Sequence, residues 1–136
     1  MNKKKNIVKQ YTQPIYIPND LYVCMHCTKE YIDKLFEFSD GTSIVEQEDS
    51  YLATTCYCVK DKKAGKLCTV VLLHDSMFKD LKKDKFGLYD TCAHESFHVA
   101  DEILRFCGVT LTDSSKECYA YLTGWAAKCI FKTIMS

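Results

Sequence analysis

Two strong helical patterns close the sequence, separated by only five residues, Val109–Asp113, and they constrain the fold more than any other feature. In the first, which starts at Asp90 or Thr91, Ala93, Phe97, Ala100, Leu104 and Cys107 recur at three-and-four spacing. Gly108 then stands where a C-terminal glycine cap belongs. The second begins near Ser114 and carries Tyr121, Leu122, Trp125, Ile130 and Phe131. So short a connection makes the helices spatial neighbours, and their apolar stripes need a further surface to cover them. Upstream, Tyr51–Val59 and Leu67–Leu73 are rich in β-formers and flank a polar loop, Lys60–Lys66, with one glycine. That pattern predicts an antiparallel hairpin. Leu21–Met25 predicts another strand, entered through the turn-prone Asn19-Asp20, and Pro14 and Pro18 bracket a short extended piece, Ile15–Ile17. Thr28 is placed to cap a helix that carries Tyr31, Ile32, Leu35, Phe36 and Phe38 as far as Ser39-Asp40-Gly41. Residues 1–13 are lysine-rich without periodicity and are expected to be a flexible basic tail, leaving 14–136 as a single domain. The order strand, helix, strand, strand, helix, helix predicts an α+β fold, in which a small, mostly antiparallel sheet with a hairpin packs against the two C-terminal helices.

Charge narrows the function classes. Eighteen basic residues balance eighteen acidic ones, which excludes a broadly basic nucleic-acid binder. The lysines at 60, 62, 63, 66, 79, 82, 83 and 85 fall in loops interrupted by Asp61, Asp80 and Asp84, so solvation accounts for them. The glycines are dispersed and form no phosphate-binding loop, and no apolar run approaches the roughly 18–20 residues that span a bilayer. The charged start is followed by no apolar segment of the signal-peptide kind, so the expectation is a cytoplasmic protein with neither nucleic acid nor membrane as partner. Nine cysteines, an odd number without an export signal, are expected to be mostly reduced and buried.

The chemistry concentrates in His94-Glu95-Ser96-Phe97-His98, inside the first C-terminal helix. Histidines four apart lie one turn apart on one helix face, so both imidazoles can reach one Zn²⁺. Glu95, about 100° round the same turn, can approach a metal-bound water rather than the metal. This HExxH pattern resembles the zincin superfamily of zinc metallopeptidases, over the region from Asp90 to Ile130. The metzincin extension needs a glycine at 101 and a histidine at 104, where this chain has Asp101 and Leu104. The aspzincin extension fails at Glu102 and Arg105. The remaining resemblance is to gluzincins, which take a glutamate from the following helix, here Glu117 in Glu117-Cys118-Tyr119-Ala120-Tyr121-Leu122. The same pairing is similar to small zincin-like proteins of phage and mobile-element origin.

That resemblance implies one catalytic Zn²⁺ held by His94, His98 and Glu117, with the fourth position left to water. Glu95 would be the general base in hydrolysis of a peptide or protein substrate, and Tyr121, one turn beyond Glu117, the preferred oxyanion donor over Tyr119 and His74. By the same resemblance the strand Cys68–Leu73 would be an edge that receives the peptide. Several alternatives stay open. Ser114 and Glu117 also fit a capping box, His74 and Asp113 are rival third ligands, and Asp101 can hold a histidine N–H or be a solvated surface residue. A non-catalytic, zinc-stabilised protein-interaction module is the alternative function. Cys24, Cys27, Cys56, Cys58 and Cys68 offer ligands for a second metal, and Cys24-Met25-His26-Cys27 stands at a strand-to-helix junction where a thiol redox pair can sit.

Overall fold

The computed structural model describes residues 5–13, 15, 20–45, 52–79 and 84–136. Five strands form one open sheet: β1 (Ile7–Thr12), β2 (Asp20–Met25), β3 (Phe36–Phe38), β4 (Ala53–Asp61) and β5 (Lys66–Leu73), in the order β1-β2-β5-β4-β3. Only β2 and β5 run parallel; the other pairs are antiparallel. Helices α1 (Lys29–Leu35), α2 (Ser76–Lys79), α3 (Lys85–Phe106) and α4 (Lys116–Ile134) complete an α+β fold.

β5 holds the centre because of its sequence. Cys68–Leu73, apolar except for Thr69, is buried throughout, as expected of a strand covered on both faces rather than one that alternates. This overturns the expectation that Cys68–Leu73 is an edge: β2 occupies one side and β4 the other, so no peptide can add to it. The hairpin itself forms as expected, through the turn at Lys62–Gly65, where Gly65 takes φ +68.

Two cores lie on the two faces of the sheet. On one, α3 and α4 bury Val99, Ile103, Ala126 and Ile130 against Leu21, Val23, Val71 and Leu73. On the other, α1 and its following loop bring Ile32, Phe36 and Ile44 over Cys24, Cys56, Cys68, Val70 and Leu72. α3 and α4 run antiparallel, with Tyr89 beside Phe131 (ring centroids 5.5 Å) and Phe97 beside Tyr119 (6.0 Å).

Several elements differ from the sequence expectation. Ile7–Thr12, expected within a flexible tail, forms β1, because Asp20–Met25 offers it a partner in full register. α1 has the expected Thr28 cap, whose side chain accepts from the Tyr31 N–H, but ends at Leu35. Phe36–Phe38 instead pairs with Val59–Asp61 as β3, and tertiary pairing overrides the helical spacing. α3 begins five residues before Asp90, because Asp84 Oδ1 accepts from the N–H groups of Phe86 and Gly87. Its buried face is Cys92, Glu95, Ser96, Val99, Ala100, Ile103 and Leu104, whereas Ala93, Phe97 and Cys107 are exposed. A β-bulge lies between Cys56 and Val59, so Cys56 is buried while Cys58, at φ +54, is exposed. Most of the piece bracketed by Pro14 and Pro18 lies outside the described residues. No helix among the described residues is long and apolar enough to cross a membrane.

Candidate metal centre

The rotation of α3 about its axis is fixed by its apolar residues. Cys92, Ser96, Val99 and Ile103 face the core, which leaves His94 and His98 on the side where α3 passes the first half of β4. Their rings lie 4.8 Å apart, and their Nε2 atoms approach to 3.1 Å. Two nitrogens each about 2.0–2.1 Å from one tetrahedral zinc lie about 3.3 Å apart. The pair is therefore within a few tenths of an ångström of metal-ligand geometry, and both side chains are open to solvent. These two donors fit zinc.

Glu95 is different from its neighbours: it is only 6% exposed. Its Oε2 accepts a 2.5 Å hydrogen bond from the Thr55 hydroxyl on β4. The carboxylate is thus tethered to the sheet while the imidazoles, among the described residues, meet only each other. Thr54, Thr55, Tyr57, His94, Glu95 and His98 line a cleft of about 280 Å³ between β4 and α3. β3 pairs with β4 only at Val59–Asp61. Beside the cleft, Ala53–Thr55 has β5 on one side and, among the described residues, no strand on the other. The bulge after Cys56 interrupts the ladder next to Tyr57, a device frequent beside functional sites.

The other expected site residues are placed less directly. Glu117 is exposed on the first turn of α4, and neither it nor Tyr121 lines the cleft. Among the described residues no three His, Cys, Asp or Glu side chains are grouped closely enough to enclose a metal ion. The capping-box alternative for Glu117 does not form. Ser115, not Ser114, is the cap residue, and its hydroxyl donates to the Thr110 carbonyl instead of capping the helix. Tyr121 is 77% exposed on the outside of α4. Tyr119 is buried and ties the two helices together, its hydroxyl donating to Asp101 Oδ1 at 3.1 Å. Burial and that carboxylate hold its pKa above the ordinary phenol value. Asp101 is consequently engaged by Tyr119 and by Arg105 Nε (3.2 Å) rather than by a histidine. His74 Nε2 meets Thr54 Oγ1 at 3.3 Å, and its ring lines a different cavity. Asp113 is exposed in the turn before α4.

Thr55 and Tyr57 were not singled out from the sequence. Alternation along β4 would have placed both on one face, but nothing local says that this face meets Glu95. Glu102, one turn beyond His98, is a further carboxyl on this helix; burial, then the charge of Asp101, raises its pKa. No family model, curated protein or solved structure matches the chain.

Proposed function

We propose that the chain is a zinc-dependent peptidase of the zincin kind, with His94, His98 and Glu117 as metal ligands and Glu95 as general base. The observation that carries this is the cleft itself: two imidazole nitrogens 3.1 Å apart beside a buried glutamate tethered to the neighbouring strand. Glu117 is the proposed third ligand because it projects from the helix packed against α3 and, among the described residues, is engaged in no hydrogen bond or ion pair. Zinc, when bound, supplies a Lewis acid that acidifies a water and polarises the scissile carbonyl.

The remaining work falls to the chain's own groups. Glu95 takes a proton from the attacking water and passes it to the leaving amine. Thr55 fixes the rotamer of Glu95, so little reorganisation precedes that transfer. The side of Ala53–Thr55 away from β5, where no strand lies among the described residues, receives the substrate backbone as an added strand, a role expected of β5 and transferred here to β4. Of the phenols, Tyr57 lines the cleft and is the better-placed oxyanion donor; Tyr121 would need α4 to present it from the outside. A cleft of about 280 Å³ lies at the small end of ligand sites. That favours an extended main chain over a bulky side chain as the recognised group, and it also keeps the interaction module as a second reading.

The test combines zinc content with cleavage of a quenched-fluorescent peptide library, on wild type, Glu95→Gln, His98→Ala and Glu117→Ala. Peptidase action requires that Glu95→Gln keep one zinc and lose at least about 100-fold in kcat/KM. His98→Ala and Glu117→Ala should lose the metal. Full activity in Glu95→Gln would sink the mechanism, and zinc retained by Glu117→Ala would remove that residue from the site. Stoichiometric zinc without turnover in wild type would leave the interaction module.

A further inference from the structure

Cys24 and Cys27 take no part in the cleft. Cys24 belongs to the core on the face of the sheet away from α3. In a regular strand, residues three apart point to opposite faces, so these two thiols would be separated by the sheet. The chain avoids this at His26, which adopts φ +56, a conformation uncommon for a residue with a side chain. The turn brings Cys27 back to the side of Cys24. Both thiols line one cavity of about 480 Å³, close enough for each to shift the other's titration. The strained turn is held from outside: His26 Nδ1 lies 2.6 Å from Asp75 Oδ1, and Phe78 packs on its ring at 5.0 Å. Strain of this kind persists only where the surroundings enforce it, and it clusters at functional sites.

The two thiols are unequal. Cys24 is fully buried, while Cys27 is half-buried. The neighbouring Cys24 thiol draws the Cys27 pKa below the ordinary thiol value, against burial, and Cys27 and burial hold Cys24 well above it. As a thiol, Cys27 donates to the Ile7 carbonyl at 3.3 Å, a contact released on ionisation. An outer, more acidic thiol beside an inner, protonated one is the division of roles that thiol–disulfide exchange needs. Lys29, Lys79 and Asp75 also line the cavity; Lys29 is paired with Asp33 at 2.6 Å and Asp75 is held by His26, so among the described residues Lys79 is the cation left to meet a carboxylate of a small reagent.

We propose that Cys24 and Cys27 are a redox-active dithiol that exchanges with small anionic disulfides of the glutathione disulfide class. The Cys27 thiolate attacks one sulfur of the reagent, forming a mixed disulfide and expelling one thiolate. Cys24, giving its proton to that departing thiolate or to solvent, then attacks the Cys27 sulfur and expels the second thiolate. Two protein thiols are oxidised to one disulfide while one small disulfide is reduced to two thiols. Such a bond is compatible with a reducing compartment when it is transient.

The full chain is equilibrated in glutathione buffers of graded redox ratio, acid-quenched, alkylated and mapped by peptide mass. The expected result is a Cys24–Cys27 disulfide at ratios where the buried Cys68, Cys92 and Cys129 remain reduced, with no lasting glutathione on Cys27. Alkylation of the reduced protein should modify Cys27 at least about tenfold faster than Cys24. Cys24→Ser should trap glutathione on Cys27; if that variant does not fold, Cys24→Ala serves the same purpose, and the wild-type result decides without either. The proposal is overturned if both thiols stay alkylatable under conditions that glutathionylate the exposed Cys58 and Cys107. A stable adduct on Cys27 in wild type would equally overturn it.

Discussion

Replacing Thr55 by valine keeps the shape of the side chain and removes the hydroxyl that donates to Glu95 Oε2 at 2.5 Å. Glu95 is 6% exposed, and among the described residues no other side chain donates to its carboxylate, so water cannot easily replace what is lost. A hydrogen bond to a charged acceptor contributes about 1.5–3 kcal/mol, and the better strand propensity of valine returns a few tenths. Unfolding free energy should therefore fall by about 1–2.5 kcal/mol, which in a chain of this length lowers Tm by about 4–10 °C. The measurement is urea denaturation at neutral pH in the presence of a chelator, so that metal binding does not add to the folded state. It is repeated in a Glu95→Leu background, where the partner is absent. There the same Thr55→Val change should alter stability by less than about 0.5 kcal/mol, and the difference between backgrounds is the coupling of the pair. An equal loss in both backgrounds would show that Thr55 serves β4 alone and that Glu95 is not held by it. If the bond is what positions the base, Thr55→Val should also lower kcat while leaving zinc content and KM unchanged.

Three other outcomes follow from the packing and the titrating groups. Burial pushes the Cys68 thiol up to about 12 and the Cys92 and Cys129 thiols up to about 11, from an ordinary 9.0. Their raised folded values mean that the unfolded chain loses these protons first; stability is full below pH 9 and should decline as pH rises from about 9 to 12. Urea midpoints unchanged between pH 8.5 and 10.5 would contradict that sign. Gly124 lies in the interior of α4 with open space where a Cβ would go, so Gly124→Ala should stabilise by about 0.8–1 kcal/mol. Gly108, at φ +77 after α3, should lose about 1 kcal/mol on the same change; thermal melts that rank the two the other way would refute this account of the helix ends. Finally, Tyr57→Phe should lower kcat about 10-fold or more, with Tyr121→Phe near wild type, and the reverse ranking would return the donor role to α4.

What was legible in the sequence divides by the range of the interactions that decide it. The β4–β5 hairpin, the Thr28 cap and the existence of the two C-terminal helices depend on neighbours a few residues away and were legible, although α3 starts five residues earlier than its spacing indicated. β1 and β3 depend on distant partners. Ile7–Thr12 carries little apolar signal of its own, and becomes a strand because β2 is adjacent in full register. Phe36 and Phe38 continue the apolar spacing of α1, yet pairing with Val59 and Asp61 draws them out of the helix. The expected stripe on α3 holds at Ala100 and Leu104 but fails at its other three positions for a related reason. Periodicity counted Ala93, Phe97 and Cys107 as core, while the sheet takes Cys92, Ser96, Val99 and Ile103 and so turns the helix by roughly one residue, about 100°.

That same turn decides the site. With the stripe as expected from the sequence, Phe97 would be buried, whereas in the structure Glu95 takes the buried place, meets Thr55, and leaves the two histidines facing outward. The i, i+4 convergence of His94 and His98 is local and needed no tertiary information. The tether on the base, the side of Ala53–Thr55 away from β5 and the nearby Tyr57 all come from β4, forty residues upstream of the histidines in the case of Thr55 and Glu95. Their position depends on β3 being too short to cover β4 and on a bulge that breaks the ladder after Cys56. Neither follows from strand propensity, because each is a failure of pairing rather than a preference for it. The side of β4 left unpaired among the described residues is therefore the least legible part of the site and the part on which substrate recognition would depend. Leu52 pairs with His74 through the His74 N–H, so the alternation commits Thr54 to Leu72 and turns the N–H groups of Ala53 and Thr55 away from β5. Ala53→Pro should therefore test that side: if main-chain pairing there holds the peptide, KM should rise several-fold with zinc content unchanged.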